Sequence, residues 1–599
     1  MTAAGVRIRP VRLGAMHAER RDGDGGVIYV RSTDPLGPYA RRITDPLAHW
    51  AKVAPDRVFM ADRTPEGGWR TISYAAFAEQ IRPLAQALID AGLSAERPLA
   101  ILSGNEIEHA LMGFAAMLVG IPYCPISPGY SLLSGDFGKL KAIIEHLKPG
   151  LVYASNGAGF SRATEAVLPD VPLVVRRNAL RGARLLEDLL RTPVHDVDAR
   201  AETVGPDTVA KLLFTSGSTG TPKGVITTQR MLCCNQQMIR QCLAFLSDAP
   251  PVLADWMPWH HTAGGSHNVG IALTNGGSFY IDDGAATPQG IGRTIATLRE
   301  VAPTVYFNVP KGYELLAGAF AQDHQLRDTF FSRLQLMQYA GAGISQHVFD
   351  ALDRAAYDAT GERVLMVTGY GATETAPFAF STPWAVERAG MVGLPAPGLE
   401  TKLVPNAGKL ELRVRGPSVT PGYWNDPQRT AAAFDEEGYY RMGDALRFVD
   451  PADLSRGFIF DGRVSEDFKL ATGTWVDVGG LRSAVIAACA PLVRDVVLTG
   501  LDRNFVGALV FPSAEADAAA AADAVAVGLG ELARRATGSS NHVARAMLME
   551  EPPSADAGEL TDKGSINQRA VMARRADLVA ALYADEPPPG VLEFSRRGP

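Results

Sequence analysis

The chain has 599 residues, 46% of them apolar and 21% charged, with a formal net charge of −7. That length is more than one hydrophobic core supports, so two or more domains are expected, and the mild acidity argues against nucleic acid or an anionic membrane as partner. Cys124, Cys233, Cys234, Cys242 and Cys489 are odd in number and lack CxxC spacing, which argues against a disulfide framework or a structural zinc site and fits a reducing compartment.

In chain order, residues 1–40 carry Gly, Arg and Asp without periodicity and read as a loosely held extension with no apolar signal segment, so a cytoplasmic location is expected. "DRVFMAD" reads as a strand. In "YAAFAEQIRPLAQALIDAGL" Phe77, Ile81, Leu84 and Leu88 share one helical face, with Pro83 a site for a kink or break. "PLAILSGN" is a further strand. "ALMGFAAMLVGI" is too short to cross a bilayer and reads as a buried helix. "GLVYASN", "VPLVVRR", "TVYFNVP" and "VLMVTGYG" repeat the pattern of short buried strands ending in Gly, Asn or Pro.

Strands alternating with helices predict an α/β fold with largely parallel sheets, and ligands then sit at the carboxyl ends of strands. After "FIFDGRVSEDFKLATGTWVD" the texture changes to Ala-rich helical sequence. The expected organisation is the 1–40 extension, a large domain over 41–464 and a small mobile α+β domain over 465–599, ending in an extended tail, "DEPPPGVLEFSRRGP".

"FTSGSTGTPKGV" concentrates hydroxyls, glycines and one lysine between two apolar runs, the composition of a phosphate cradle. It is not a P-loop of the GxxxxGK[ST] type, because Pro222 stands before Lys223 where that motif has glycine. The whole string resembles the phosphate-binding motif of the adenylate-forming (acyl-CoA synthetase) superfamily. "WMPWHHTAGG", "YAGAGIS", "GYGATETAP", "YYRMGD", "DGRVSEDFKLATG" and "LTDKGSINQRA" match further motifs of that superfamily in the same order.

The resemblance implies that a carboxylate attacks the α-phosphorus of ATP to give an acyl-adenylate. It places Thr215, Ser216, Gly217, Ser218, Thr219, Gly220 and Lys223 on the outer phosphates, Thr373 on the α-phosphate and Glu374 on Mg²⁺. Gly341, Ala342, Tyr370 and Gly371 would frame the adenine, while Asp444 and Arg463 would take the ribose hydroxyls. Lys563 would bridge the carboxylate and the α-phosphate. Gly564 follows it, a departure from the commoner Ser-Gly-Lys pattern. Ser465 would be the pivot that swings the small domain to admit coenzyme A, bringing Lys469 to the site. A salt-bridge role is the alternative for Lys469.

His260 and His261 stand beside Trp256 and Trp259, with His267 a few residues on. Adjacent histidines on a strand or loop point their rings apart and no Cys or acid lies at ligand spacing, so an acyl pocket with aromatic walls is favoured over a metal site. His260, His261, Gly264, Tyr339, Ala340, Gly369 and Pro377 are its expected residues, His261 lying between the acyl and phosphate sites.

Longer phrases, "DWMPWHHTAGGSHNVGIALTNGGSFYIDDG" and "FKLATGTWVDVGGLR" among them, resemble bacterial feruloyl-CoA synthetases, with His260 where that family has Asn. This implies activation of ferulate and related hydroxycinnamates in the catabolism of lignin-derived aromatics, by a monomer or homodimer. The alternatives are another aryl or fatty acid, delivery of the acyl group to a carrier protein, a non-catalytic binding relative and, disfavoured by Pro222, a kinase.

Overall fold

A computed structural model of the chain describes residues 7–216, 222–341, 344–382, 384, 390–406, 408–464, 466–513, 516–554, 557–560 and 566–596. Among these residues the fold is α/β, with a large part built on three sheets and a small α+β part at the C-terminal end. One sheet has seven strands, and its middle strands Leu99–Leu102, Tyr123–Ile126, Leu151–Asn156 and Leu173–Arg177 are parallel and apolar almost throughout, as strands covered on both faces must be. Val209–Ser216 joins them in parallel and then turns back through Pro222–Thr228 as an antiparallel hairpin.

A second sheet has eleven strands and changes character along its width. Val305–Asn308, Leu336–Tyr339 and Leu365–Tyr370 are parallel neighbours, and the remaining strands are antiparallel. The antiparallel wing departs from the largely parallel sheets expected, because it combines short hairpins with pairings between segments far apart in the chain, which the helix-by-strand alternation does not register. A four-stranded sheet runs in the order Val252–Asp255, Ser278–Ile281, Val58–Arg63, Trp69–Ser73.

Three expectations need correction. The first forty residues are not loosely held: Ala18–Asp22 and Ile28–Ser32 pair with each other, and the second pairs with Glu400–Asn406 in the eleven-stranded sheet. Arg9 also donates to the carbonyls of Phe331 (2.9 Å) and Leu334 (2.5 Å). The helix Tyr74–Asp90 runs through Pro83 without interruption. Its buried Phe77, Ile81, Leu84 and Leu88 face the core, and that packing outweighs the amide hydrogen bond proline cannot make. The terminal tail is not simply extended either, since Val591–Glu593 adds an edge strand to Val543–Leu548.

The small part packs the helices Val478–Ala488 and Ala518–Arg535 on the strands Val493–Thr499, Val506–Pro512 and Val543–Leu548. Asp517 starts the Ala-rich helix by accepting from the amides of Ala519 and Ala520 at 3.0 and 3.1 Å. No helix among the described residues is long and apolar enough to cross a membrane.

Candidate active site

The hairpin Val209–Ser216/Pro222–Thr228 sets Thr215 opposite Lys223 and Ser216 opposite Pro222 at its tip. Gly217, Ser218, Thr219 and Gly220 in the connecting turn lie outside the described residues, as do Ala342, Ser465 and Lys563. Lys223 is drawn inward. Its ammonium sits 2.7 Å from Oε1 of Glu374 and donates to the Tyr423 hydroxyl at 2.8 Å. Tyr423 in turn donates to the same carboxylate oxygen at 3.0 Å and lies 3.2 Å from the Tyr440 hydroxyl. Burial pushes the Glu374 carboxyl up, but the lysine beside it wins and holds it below the ordinary carboxylate range. Glu374 is therefore an ionised oxygen donor in a buried place, 5% exposed as a residue.

The loop that carries Glu374 begins where the strand Leu365–Tyr370 ends, and it is staked at several points. A Cβ at Gly371 would lie 1.7 Å from the Pro377 carbonyl oxygen, so only glycine lets the chain double back there. The Asn235 amide donates to the carbonyls of Thr375 (3.2 Å) and Phe378 (2.7 Å), and Thr420 N–H donates to the Glu374 carbonyl at 2.8 Å. Thr373 is half-buried in a short turn just before Glu374.

Four residues before Glu374, the Tyr370 hydroxyl donates to Oδ2 of Asp444 at 2.5 Å. Arg463, opposite Asp444 on the next strand, approaches Oδ1 at 3.6 Å. The structure thus brings Lys223, Tyr370, Thr373, Glu374, Asp444 and Arg463 together. The two phenols that organise this cluster, Tyr423 and Tyr440, were missed from sequence. Tyr440 stands in the "YYRMGD" string four residues before Asp444, and that position was its available signal.

The other end lies where three parallel strands finish side by side, Asn308 opposite Tyr339 and Tyr339 opposite Thr368. Tyr339, Ala340, Gly341 and Gly369 belong to these ends, and Pro377 closes the Glu374 loop. The two adjacent histidines stand on the turn after Val252–Asp255. Asn105 holds that turn by donating to the Met257 carbonyl (2.9 Å) and accepting from Trp259 N–H (3.0 Å). Gly264 is required because a Cβ would fall 2.2 Å from the Met257 carbonyl oxygen.

His260 and His261 do not splay apart as expected. Their ring centroids are 4.7 Å apart at 42°, because the chain turns here and does not run as a strand. Burial, then the neighbouring His261 and His109, push the His260 imidazole down to about 3, so it is neutral.

Lys211 was not singled out from sequence, nor were Asn268 and Asp255 as partners of His267. Lys211 is 3% exposed in the strand Val209–Ser216, its Nζ donating to the Gly265 carbonyl and lying 3.3 Å from Ser266 Oγ. Burial alone pushes this ammonium down to about 7. A lysine inside the apolar run "AKLLF" was the visible signal. His267 is linked through Asn268 to Asp255.

In the small part, Lys469 is exposed and lies over the Trp475 ring at 5.1 Å. The flanks of the Lys563 segment are well anchored. Leu560 bridges Ile566, Asn567 N–H donates to the Glu559 carbonyl at 2.8 Å, and the Glu559 carboxylate takes Arg574 and Arg575 at 2.8 Å each.

Residues 47–424 match the family described as AMP-binding enzyme, and residues 469–587 match the AMP-binding enzyme C-terminal domain. The carboxylic acid reductase of Segniliparus rugosus is 26% identical over 86% of this chain and 47% of its own length. This chain spans about half the length of that and other carboxylic acid reductases it matches. The malonate–CoA ligase of Arabidopsis thaliana is 27% identical over 78% of this chain and 73% of its own length. Among solved structures, ATP-bound MatB from Rhodopseudomonas palustris covers 90% of this chain and 99% of its own, with TM-score 0.68 and 21% identity. The anthranilate CoA ligase AuaEII in complex with anthranoyl-AMP covers 92% of this chain and 99% of its own, with TM-score 0.71 and 20% identity. At those identities the likeness establishes a shared fold.

Proposed function

Because the chain belongs to the AMP-binding enzyme family of adenylate-forming proteins, we propose that it joins a hydroxycinnamic acid, ferulate first among them, to coenzyme A through an acyl-adenylate. One observation carries the reading. The buried Lys223–Glu374–Tyr423 cluster and the Tyr370–Asp444 pair hang on a single glycine-turned loop, so groups suited to phosphate and to ribose are set side by side. The aromatic acid is supported by the resemblance of the longer phrases and by the ring-rich surroundings of His260, His261 and His267.

In the first step a carboxylate oxygen of the acid attacks the α-phosphorus of ATP, the bond to the pyrophosphate oxygen breaks, and acyl-AMP forms. The turn from Thr215 to Gly220 holds the outer phosphates with backbone N–H groups and hydroxyls, and Thr373 contacts the α-phosphate. Glu374, ionised, buried and an oxygen donor, fits a Mg²⁺ ion carried by the nucleotide, whose charge offsets that gathering on the phosphates. Lys223, which neutralises Glu374 in the structure, is then free to turn toward phosphate oxygens. Asp444, now accepting from Tyr370, accepts the ribose hydroxyls with Arg463 beside it. Lys563 bridges the reacting carboxylate and the α-phosphate.

In the second step the coenzyme A sulfur attacks the acyl carbonyl, the thiol proton is lost and AMP leaves. The small domain, residues 465–599, pivots at Ser465 between the two steps, withdrawing Lys563 and presenting Lys469. His261 stands between the acyl and phosphate sites.

The curated relatives named carboxylic acid reductase favour one second reading, in which the same adenylate passes to a protein-borne thiol rather than to coenzyme A. Incubation with Mg-ATP, ferulate and coenzyme A, scored for AMP, ADP and thioester by mass detection, separates the readings. Feruloyl-CoA and AMP in equal amounts are expected. AMP without thioester would favour the protein-borne acceptor, and ferulate-independent ADP would sink adenylation altogether. Lys563→Ala should cost about 10²–10³ in the adenylation rate, by analogy with losing an oxyanion-hole donor.

A further inference from the structure

A buried chain of three polar side chains lies at the acyl end, and the reaction steps above leave it without a role. Asp255 closes the strand Val252–Asp255, and His267 and Asn268 close the irregular helical turn Ala263–Asn268. Asp255, His267 and Asn268 are 3%, 6% and 0% exposed. Such a group of polar side chains is costly to bury and persists only if its hydrogen bonds are made.

The bonds fix the direction of the chain. Asp255 Oδ1 accepts the Met257 N–H at 3.2 Å, and its Oδ2 accepts from Asn268 Nδ2 at 2.9 Å. In the structure the Asn268 amide turns its NH₂ to Asp255 and its Oδ1 to His267. Nδ1 of His267 lies 2.7 Å from that Oδ1. An amide oxygen can only accept, so Nδ1 carries the ring proton. The ring is neutral, since burial pushes it down to about 4. A neutral imidazole protonated at Nδ1 has a bare lone pair at Nε2. Among the described residues nothing donates to that nitrogen.

The ring's surroundings are apolar and flat. Phe307, next to the end of one parallel strand, meets it edge-on at 5.0 Å, and Phe378, next to Pro377, lies tilted at 6.1 Å. An acceptor nitrogen between two phenyl rings is suited to a ligand that is itself largely apolar but ends in a hydrogen-bond donor.

We propose that His267 is a specificity-determining residue of the acyl site, its Nε2 selecting carboxylic acids that carry an O–H or N–H donor remote from the carboxylate, a phenolic hydroxyl fitting best. The proposal rests on the reading of the chain as an acid-adenylating enzyme. A methoxy group, a hydrogen or a second carboxylate in place of the donor would cover that lone pair and leave it unpaired or opposed, and sites built to bond a hydroxyl reject analogues lacking it.

The test is ATP–pyrophosphate exchange without coenzyme A, using acids matched except for one group. These are 4-hydroxycinnamate, 4-methoxycinnamate and cinnamate, then 8-hydroxyoctanoate and octanoate. The native chain should use the hydroxyl-bearing member with kcat/KM about tenfold or more above its partners. In His267→Phe that ratio should fall toward one, chiefly through KM. Equal use of the matched acids by the native chain, or an unchanged ratio in the variant, overturns the proposal. Hydroxyl preference confined to the octanoate pair and lost in the variant upholds His267 as the residue that selects a donor, while overturning the phenolic fit and the aromatic reading. Exchange with none of the acids sinks the adenylating reading and the proposal with it. A readout independent of turnover, and of how well the variant folds, is ¹⁵N NMR of the native chain with labelled histidine. His267 should show the Nδ1–H tautomer, and an Nε2–H signature overturns the proposal.

Discussion

The two ends of the candidate site solve the problem of burying polar groups in opposite ways. At the nucleotide end the groups are charged and paired, Lys223 with Glu374 and Arg463 with Asp444 on the neighbouring strand, with tyrosine hydroxyls filling the remaining bonds. At the acyl end the two imidazoles are neutral. His260 and His267 are held uncharged by burial, and the polar atoms run in a chain from Asp255 through Asn268. The difference matches the two ligands expected. A polyphosphate needs charges that can exchange partners, whereas the body of an aryl acid needs a dry wall with one directed hydrogen bond.

The sharpest way to break this comparison is at its most charged point. Glu374→Gln removes the negative charge while keeping the shape, so that Lys223 can still donate to an amide oxygen and to Tyr423 but has no counter-charge. Acid-dependent ATP–pyrophosphate exchange should fall about 10²–10³-fold. The variant should still bind nucleotide, which fluorescence quenching or calorimetry can check. An exchange rate within a factor of three of the native value would show that Glu374 only anchors the lysine.

Asp444→Asn probes the same end more gently. The amide can still take the Tyr370 hydroxyl through its oxygen, but it loses charge toward Arg463 and the ability to accept two ribose hydroxyls. KM for ATP should rise about tenfold with kcat little changed, the size expected for a hydrogen bond to a charged group. Equal loss in a 2′,3′-dideoxy nucleotide assay would count against the ribose assignment, since that ligand has no hydroxyls to lose.

This asymmetry also explains what could be read from the amino-acid sequence. Strand and helix alternation is carried by local apolar periodicity, so the parallel strands from "PLAILSGN" to "VLMVTGYG" were legible. The antiparallel wing was not, because the pairing of Ile28–Ser32 with Glu400–Asn406 links segments nearly 370 residues apart and neither carries a local mark of its partner. At the site, motif residues such as Lys223, Glu374 and Asp444 stand out by charge in glycine-rich strings. Tyr423 and the Asn268–Asp255 pair do not, since the first acts only once its segment meets the Glu374 loop and the second only once the chain after Asp255 folds back on itself. Pro83 and the two adjacent histidines misled for the reverse reason. Local rules offer a kink or a break at the proline and a splay of the rings, whereas the helix is unbroken and the rings lie close.

The smallest effect is expected at the joint between the two ends. Lys211 lies on the strand that leads to the phosphate turn and donates to Gly265 in the segment that leads to His267. In the folded chain its pKa is about 7, well below the value of about 10.4 for a free lysine. Between those two values the unfolded chain binds a proton that the folded chain has shed, so stability rises with pH across that window, and below about 7 the cost of burying the charge is borne in full. Lys211→Met has no such proton to exchange. The native melting temperature should therefore gain on that of the variant by about 1–3 °C from pH 7 to pH 9. With the Gly265 carbonyl left unpaired, KM for the acid should rise about fivefold while KM for ATP stays within twofold. A flat difference in melting temperature would mean that Lys211 is solvated. A rise in KM for ATP equal to that for the acid would mean that the two ends are not separable, and the contrast between them would have to be redrawn as one continuous site.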